Sequence, residues 1–72
     1  MDKYTKIAVL TAIARAGREL STLEIVDKVP YSIVDICTAI TAGINEGLIQ
    51  TAETVGKYDL TPKGRMIASE EE

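Results

Sequence analysis

The apolar pattern of the sequence changes at Gly47, and this change constrains the fold more than any other feature. Before Gly47, apolar residues recur every three or four positions, as on one face of an α-helix. After it, the segments LIQTAET and KYDL are short and strand-like, and Val55-Gly56 separates them. This predicts a β-hairpin over residues 48–60, with its turn near residues 54–57.

Local signals mark the ends of two helices in the first part of the chain. The first helix is predicted over residues 3–16 and ends before Gly17, which suits the left-handed C-terminal cap of a helix. The second is predicted over residues 22–28, because Ser21-x-x-Glu24 has the capping-box pattern, in which each side chain bonds the other's free backbone N–H.

A third helix is predicted within residues 31–46, with Ser32 as its N-cap and Gly47 just past its end. Its apolar positions follow the i, i+3, i+4, i+7, i+11 spacing, which predicts one buried face. The residues of that face are Ile33, Ile36, Cys37, Ile40 and Ile44. Core packing is therefore the predicted role of Cys37, and a redox-sensing thiol is the alternative.

The hairpin is followed by a fourth, short helix. Thr61 is a suitable N-cap, and Pro62 falls at the first helical position, where its missing N–H costs nothing. Met66 and Ile67 are the apolar residues that this helix is expected to bury.

The composition indicates a single small domain with an aliphatic core. Hydrophobic residues make up 46% of the 72 residues, but there is no Phe or Trp. We assign residues 1–69 to the domain and residues 70–72, three glutamates, to an acidic disordered tail. Without this tail, eight acidic residues balance the eight basic ones, so the domain itself is neutral. A neutral surface attracts a polyanion only weakly, because Lys and Arg supply most of the affinity for phosphates.

Several classes of protein are disfavoured by what the chain lacks. It has one cysteine and no histidine, so we expect no disulfide, metal site or cofactor, and a cytoplasmic location. No apolar run approaches the ~20 residues of a membrane span. We predict no enzymatic activity, since there is no phosphate-binding glycine loop and no carboxylate pair spaced for acid–base catalysis.

Three segments carry a resemblance to the winged helix-turn-helix superfamily. GRELSTLEIVDKV resembles its turn and second helix, INEGLIQ resembles the exit of its third helix, and YDLTPKGR is similar to a segment of MarR-type and PadR-type regulators. The resemblance implies a small, single-domain DNA-binding protein of transcription regulation. Helix 31–46 would then be the recognition helix in the major groove, and hairpin 48–60 the wing on the adjacent backbone.

If the protein binds double-stranded DNA, two groups of residues are the candidate contacts. Hydroxyl and amide groups on the third helix can bond base edges, and cations near the wing can bond phosphates. The first group is Ser32, Thr38, Thr41 and Asn45, and the second is Lys57, Lys63 and Arg65, with Lys57 expected at the tip of the wing.

The alternative is a protein-interaction module on the same scaffold, without DNA binding. No basic residue occurs between Lys28 and Lys57, so the third helix has no phosphate-binding side chain of its own. The contact surface would then be this helix or the first one, which could also pair with its copy in a homodimer. Cations gathered on one face with the third helix would favour DNA, and scattered cations would favour the interaction module.

Overall fold

A computed structural model describes residues 3–70 as four α-helices and a three-stranded antiparallel sheet. In chain order the elements are α1 (Lys3–Ala16), β1 (Leu20–Ser21), α2 (Thr22–Lys28), α3 (Ile33–Asn45), β2 (Ile49–Thr51), β3 (Lys57–Leu60) and α4 (Pro62–Glu70). The predicted fold class, mainly α with a small β-hairpin, is confirmed, and the four helices follow the predicted order.

Capping groups end α1 and begin α2 as the sequence predicts. Gly17 has φ +66, and its N–H donates to the carbonyls of Ile13 and Ala14. At the start of α2, the Ser21 hydroxyl accepts from the Glu24 N–H at 3.2 Å. The Ser21 N–H in turn donates to the Glu24 carboxylate at 3.0 Å, so the capping box is complete.

The ends of α3 are equally well defined. The Ser32 hydroxyl accepts from the Asp35 N–H at 3.2 Å. At the other end Gly47 has φ +75, and the Leu48 N–H donates to the Gly43 carbonyl at 2.8 Å. This is the Schellman arrangement, which satisfies carbonyls that the helix leaves unpaired. The helix therefore covers Ile33–Asn45, a shorter span than the predicted 31–46.

The predicted hairpin is present, but it belongs to a larger sheet. β2 and β3 pair antiparallel, and the turn closes where the Lys57 N–H donates to the Thr54 carbonyl at 3.1 Å. The sequence does not predict β1, which pairs with the other edge of β3 and makes β3 the central strand. In this pairing Leu20 faces Tyr58 and Ser21 faces Lys57.

The core is aliphatic, as the composition predicts, and every helix contributes to it. Its buried residues are Val9, Leu10, Ile13, Leu20, Ile25, Ile36, Ala39, Ile40, Leu48, Ile49, Leu60 and Ala68.

The predicted buried face of α3 is wrong in its orientation. Ile36 and Ile40 are buried as expected, but the other three residues of the predicted stripe are exposed: Ile33, Cys37 and Ile44. Ala39 and Gly43 take their place inside. The reason is close packing, since a Cβ on Gly43 would lie 2.5 Å from the Ile49 Cδ1 atom. Small residues therefore let α3 approach the sheet. Cys37 is exposed, so its predicted role in core packing is wrong.

The helix α4 shows the same preference for small residues inside. Thr61 caps it as predicted, accepting from the Gly64 N–H at 3.1 Å. Gly64 and Ala68 are buried, whereas Met66, which we expected in the core, is 64% exposed. The helix also extends through Glu70, the first residue of the predicted acidic tail. The remaining tail residues, 71 and 72, lie outside the described residues.

Candidate nucleic-acid interface

The outer face of α3 is the surface that the candidate base contacts were expected to form. We define it as Val34, Thr38, Thr41 and Asn45, which all lie on the side opposite the buried residues of α3 because a helix turns by 100° per residue. All four side chains are exposed. None of them is charged, and Val34, 69% exposed, is the largest apolar group of this face.

Three of the four candidate base contacts come together on this face. Thr38, Thr41 and Asn45 line a shallow depression with Cys37 and Ala42. The exposure of Cys37 places its thiol within the candidate interface. Ser32 lies apart from this group, at the N-cap, where its hydroxyl is engaged with the helix backbone.

The two threonine hydroxyls already donate to the helix itself. Thr38 Oγ1 donates to the Val34 carbonyl and Thr41 Oγ1 to the Cys37 carbonyl, each at 3.0 Å. Both oxygens keep acceptor capacity, so they can receive a base amino group without breaking these bonds. Donating to a base would require each hydroxyl to give up its helix carbonyl.

The structure does not place Lys57 at the tip of the wing, so that prediction is wrong. Lys57 is the first residue of β3, opposite Ser21 of β1, and its ammonium lies 3.6 Å from the Glu24 carboxylate. The pairing with β1 draws it back into the sheet. The turn of the hairpin carries Val55 instead, which is 97% exposed.

Glu24 collects two of the protein's cations around one carboxylate. Arg18 lies 2.9 Å from it and Lys57 lies 3.6 Å away. The bond from the Ser21 N–H and the neighbouring Arg18 guanidinium lower the pKa of Glu24 to about 2. The carboxylate is therefore ionised at neutral pH and offsets much of the positive charge beside the wing.

The other two candidate phosphate contacts also have partners within the protein. Arg65 donates to the Asp59 carboxylate at 3.1 Å, and Lys63 donates to the backbone carbonyl of Glu46 at 3.4 Å. Lys6, which was not among the candidates, pairs with the Glu46 carboxylate at 2.7 Å. We call Lys6, Glu46 and Lys63 the Glu46 cluster. These five cations thus stand in separate groups, at Glu24, at Asp59 and at Glu46, each with a partner inside the protein.

A second concavity lies between α1 and α2 and has a volume of about 450 Å³. Its lining consists of small or apolar side chains and two cations: Ala8, Thr11, Ala12, Arg15, Ala16, Lys28 and Val29. The sequence-based predictions do not include this concavity, although alanines at every fourth position of α1 indicate a face of small residues.

Two negative findings concern the described residues. Within residues 3–70, no three His, Cys, Asp or Glu side chains come close enough to share a metal ion. No helix in that range has the length and apolar character required to cross a bilayer.

Three helices followed by a hairpin that pairs back onto a strand between the first two helices define a winged-helix domain. The comparison with solved structures supports this class. The crystal structure of SSV1 F-93 superimposes with a TM-score of 0.72, and the match covers 90% of this chain and 79% of that one at 22% sequence identity. At this identity the likeness shows the fold alone. No protein-family model matches the sequence, and no curated protein is detectably similar to it.

Proposed function

We propose that this winged-helix protein binds double-stranded DNA through the outer face of α3 and acts as a transcription regulator of the MarR or PadR kind. The observation that carries the proposal is the exposed, uncharged row of Thr38, Thr41 and Asn45 on the helix that would be the recognition helix in this fold. The structural likeness to SSV1 F-93 supports the scaffold and says nothing of the ligand.

The chemistry of this face suits base edges better than phosphates. The Asn45 amide can donate and accept at once, a geometry that matches adenine in the major groove. Thr38 and Thr41 can accept from base amino groups, and their methyl groups can contact thymine methyls. Small side chains also allow close approach of the helix to the floor of the groove.

Weak electrostatics set the expected strength of binding. The salt dependence of affinity scales with the number of phosphates that cations neutralise, at about 0.9 per contact for duplex DNA. Lys57, Lys63 and Arg65 are the proposed phosphate contacts, but each must exchange an internal partner for phosphate. A single chain should therefore bind weakly and with a shallow salt dependence. Two chains in a homodimer would double the number of phosphate contacts. The proposed contact between copies is formed by the small residues of α1 that line the concavity between α1 and α2.

An NMR titration with a random-sequence DNA duplex tests this proposal. At low salt we expect amide shifts concentrated in residues 32–45 and in the hairpin. Replacing Thr41 by Val, which keeps the shape and removes the hydroxyl, should leave the shifts of the hairpin in place and reduce those of α3. If no residue of α3 or the hairpin shifts at low salt, DNA binding through this face is refuted.

One observation favours a second function, that of a protein-interaction module on the winged-helix scaffold. Ile33, Val34 and Ile44 are large apolar residues of α3 that remain exposed. Val34→Lys separates the two functions. It should strengthen DNA binding by adding a cation to the outer face, and it should abolish the docking of an apolar partner. Leu23→Lys, at an exposed apolar residue of α2, adds the same charge outside α3 and the hairpin and serves as the control.

A further inference from the structure

The length of α3 determines where its phosphate contacts must lie. Thirteen helical residues span about 20 Å at 1.5 Å per residue, whereas the major groove is about 12 Å wide. A helix of this length crossing the groove therefore reaches the DNA backbone near its ends. Contacts to phosphate are needed there, since such contacts fix the register in which bases are recognised. The sequence of α3 supplies none, because its last turn contains no basic residue.

Tertiary structure brings two cations to the C-terminal end of α3. Lys6 comes from α1 and reaches the Glu46 carboxylate at 2.7 Å, and Lys63 comes from α4 and reaches the Glu46 carbonyl at 3.4 Å. Glu46 is the C-cap residue of α3, directly after Asn45 of the outer face. Lys63 is exposed, and the Lys6 side chain is 20% exposed. Both ammonium groups thus contact Glu46, the residue that directly follows Asn45.

The Glu46 carboxylate is the internal counter-ion of this pair. Two ammonium groups and one carboxylate leave the cluster with a formal charge of +1. The Glu46 side chain is 47% exposed, so its ion pair with Lys6 lies close to water and binds weakly compared with a buried pair. A DNA phosphate carries the same single negative charge as the carboxylate, but neighbouring phosphates add to its attraction and DNA releases counterions on binding. The carboxylate can then turn away into solvent.

We infer that Lys6 and Lys63 form a phosphate-binding site at the C-terminal end of α3, and that the Glu46 carboxylate occupies this site in the free protein and competes with DNA for it. The inference rests on the proposed function, because it assigns the backbone contacts of the same DNA complex. It makes Glu46 a built-in attenuator: the carboxylate lowers affinity for any duplex without contacting a base.

The test compares four proteins by fluorescence anisotropy with a random-sequence 20-base-pair duplex at a series of KCl concentrations. They are the wild type, Glu46→Gln, Lys63→Gln and Glu70→Gln. We expect Glu46→Gln to tighten binding by about 3- to 10-fold at low salt, and this gain to shrink as salt screens the charges. Lys63→Gln should weaken binding and reduce the slope of log K against log salt by about 0.9, the value for one phosphate contact.

Glu70→Gln is the matched control, because it makes the same change of charge on an exposed side chain at the far end of α4. It should alter affinity by less than twofold. If Glu46→Gln and Glu70→Gln behave alike while the wild type binds DNA, the attenuator is refuted and the proposed function stands. If none of the four proteins binds the duplex, both proposals fall.

Two further measurements distinguish a DNA-phosphate site from a purely structural ion cluster and from a site for free phosphate. Thermal unfolding of each variant shows whether the cluster is merely structural: a large loss of stability in Glu46→Gln with unchanged affinity overturns the inference. Inorganic phosphate alone, titrated into Glu46→Gln and followed by NMR, tests the other source of the same chemistry. Saturation around Lys6 and Lys63 at submillimolar phosphate would assign the site to free phosphate instead of DNA.

Discussion

Replacing Gly64 by Ala should destabilise this protein, although the same change favours most helices. Gly64 lies in the first turn of α4 and is buried against the backbone of Leu48. A Cβ at this position would collide with the Leu48 carbonyl oxygen, with the carbonyl carbon at 3.0 Å and the Cα at 3.3 Å. These are main-chain atoms, so no side-chain rotation can relieve the collision. Either α4 or the segment leading into β2 must move.

The expected loss follows from three contributions. Overpacking of a filled site costs about 1–3 kcal/mol. The Leu48 carbonyl also accepts from the Thr61 N–H at 3.0 Å, and a shift that breaks this bond adds about 1 kcal/mol. The higher helix propensity of Ala offsets at most about 1 kcal/mol. The net loss is therefore roughly 1–3 kcal/mol, a large share of the about 4–11 kcal/mol expected for a domain of this size.

Urea unfolding followed by circular dichroism at 222 nm measures this loss from the shift in midpoint at constant slope. Ser69→Ala provides the control for helix propensity, since Ser69 is an exposed residue of the same helix, and its effect should stay within about 0.5 kcal/mol. A Gly64→Ala protein as stable as the wild type would show that α4 does not pack this closely on Leu48, and the reasoning would be refuted.

Three further measurements test other parts of the structure. Because the folded pKa of Glu24 is about 2, below the ordinary 4.5, the stability that its carboxylate contributes is present above pH 4.5 and disappears as the pH falls towards 2. The difference in urea midpoint between wild type and Glu24→Gln should therefore shrink over that range, and a constant difference would contradict the pKa. Cys37 should react with a thiol reagent in the folded protein at nearly its rate in urea, whereas a buried thiol would react only after unfolding. Gly43→Ala should cost less than Gly64→Ala in the same urea assay, because its Cβ would meet side-chain atoms of Ile49, which can shift, instead of main-chain atoms.

The sequence predicts the elements of this fold well because their ends are local. The capping box of Ser21, the N-caps Ser32 and Thr61, and the glycines after α1 and α3 each act within five residues of a helix end. Their effects are therefore visible in a short window of sequence. The hairpin is local for the same reason. These signals together fix the order of helices and strands, and that order is enough to suggest the winged-helix class.

What the sequence did not predict depends on contacts between distant segments. β1 has only two residues, and it is a strand because β3 lies beside it. The same pairing moves Lys57 from the expected tip of the wing to Glu24, 33 positions away in the sequence. The Glu46 cluster joins α1, α3 and α4, so neither Lys6 nor Glu46 stands out in any one segment. Three of the four candidate base contacts were nonetheless placed together, because they share one helix.

Small residues explain why the inside of each helix was harder to predict than its ends. Apolar residues occur all around α3, so the apolar pattern alone permits more than one buried face. Ala39 and Gly43, one turn apart, let α3 approach its neighbours, and Gly64 and Ala68 do the same for α4. A chain without Phe or Trp gains dispersion energy by bringing backbones close together. The larger apolar side chains of these helices, such as Met66, then remain outside.

This packing also determines the chemistry of the candidate interface. Relative to the predicted stripe, the observed inner face of α3 is rotated about the helix axis by roughly 60°, a little over half of one residue's step. The rotation brings Val34 and Asn45 to the centre of the outer face and turns Ala39 inwards. It also moves Asp35 from the centre of that face to its flank. A carboxylate at the centre would repel DNA phosphates and base acceptors, so the tight fit of Ala39 and Gly43 against the core takes this repulsion away from the centre of the outer face. The phosphate contacts must still come from other elements, because α3 itself has no basic residue.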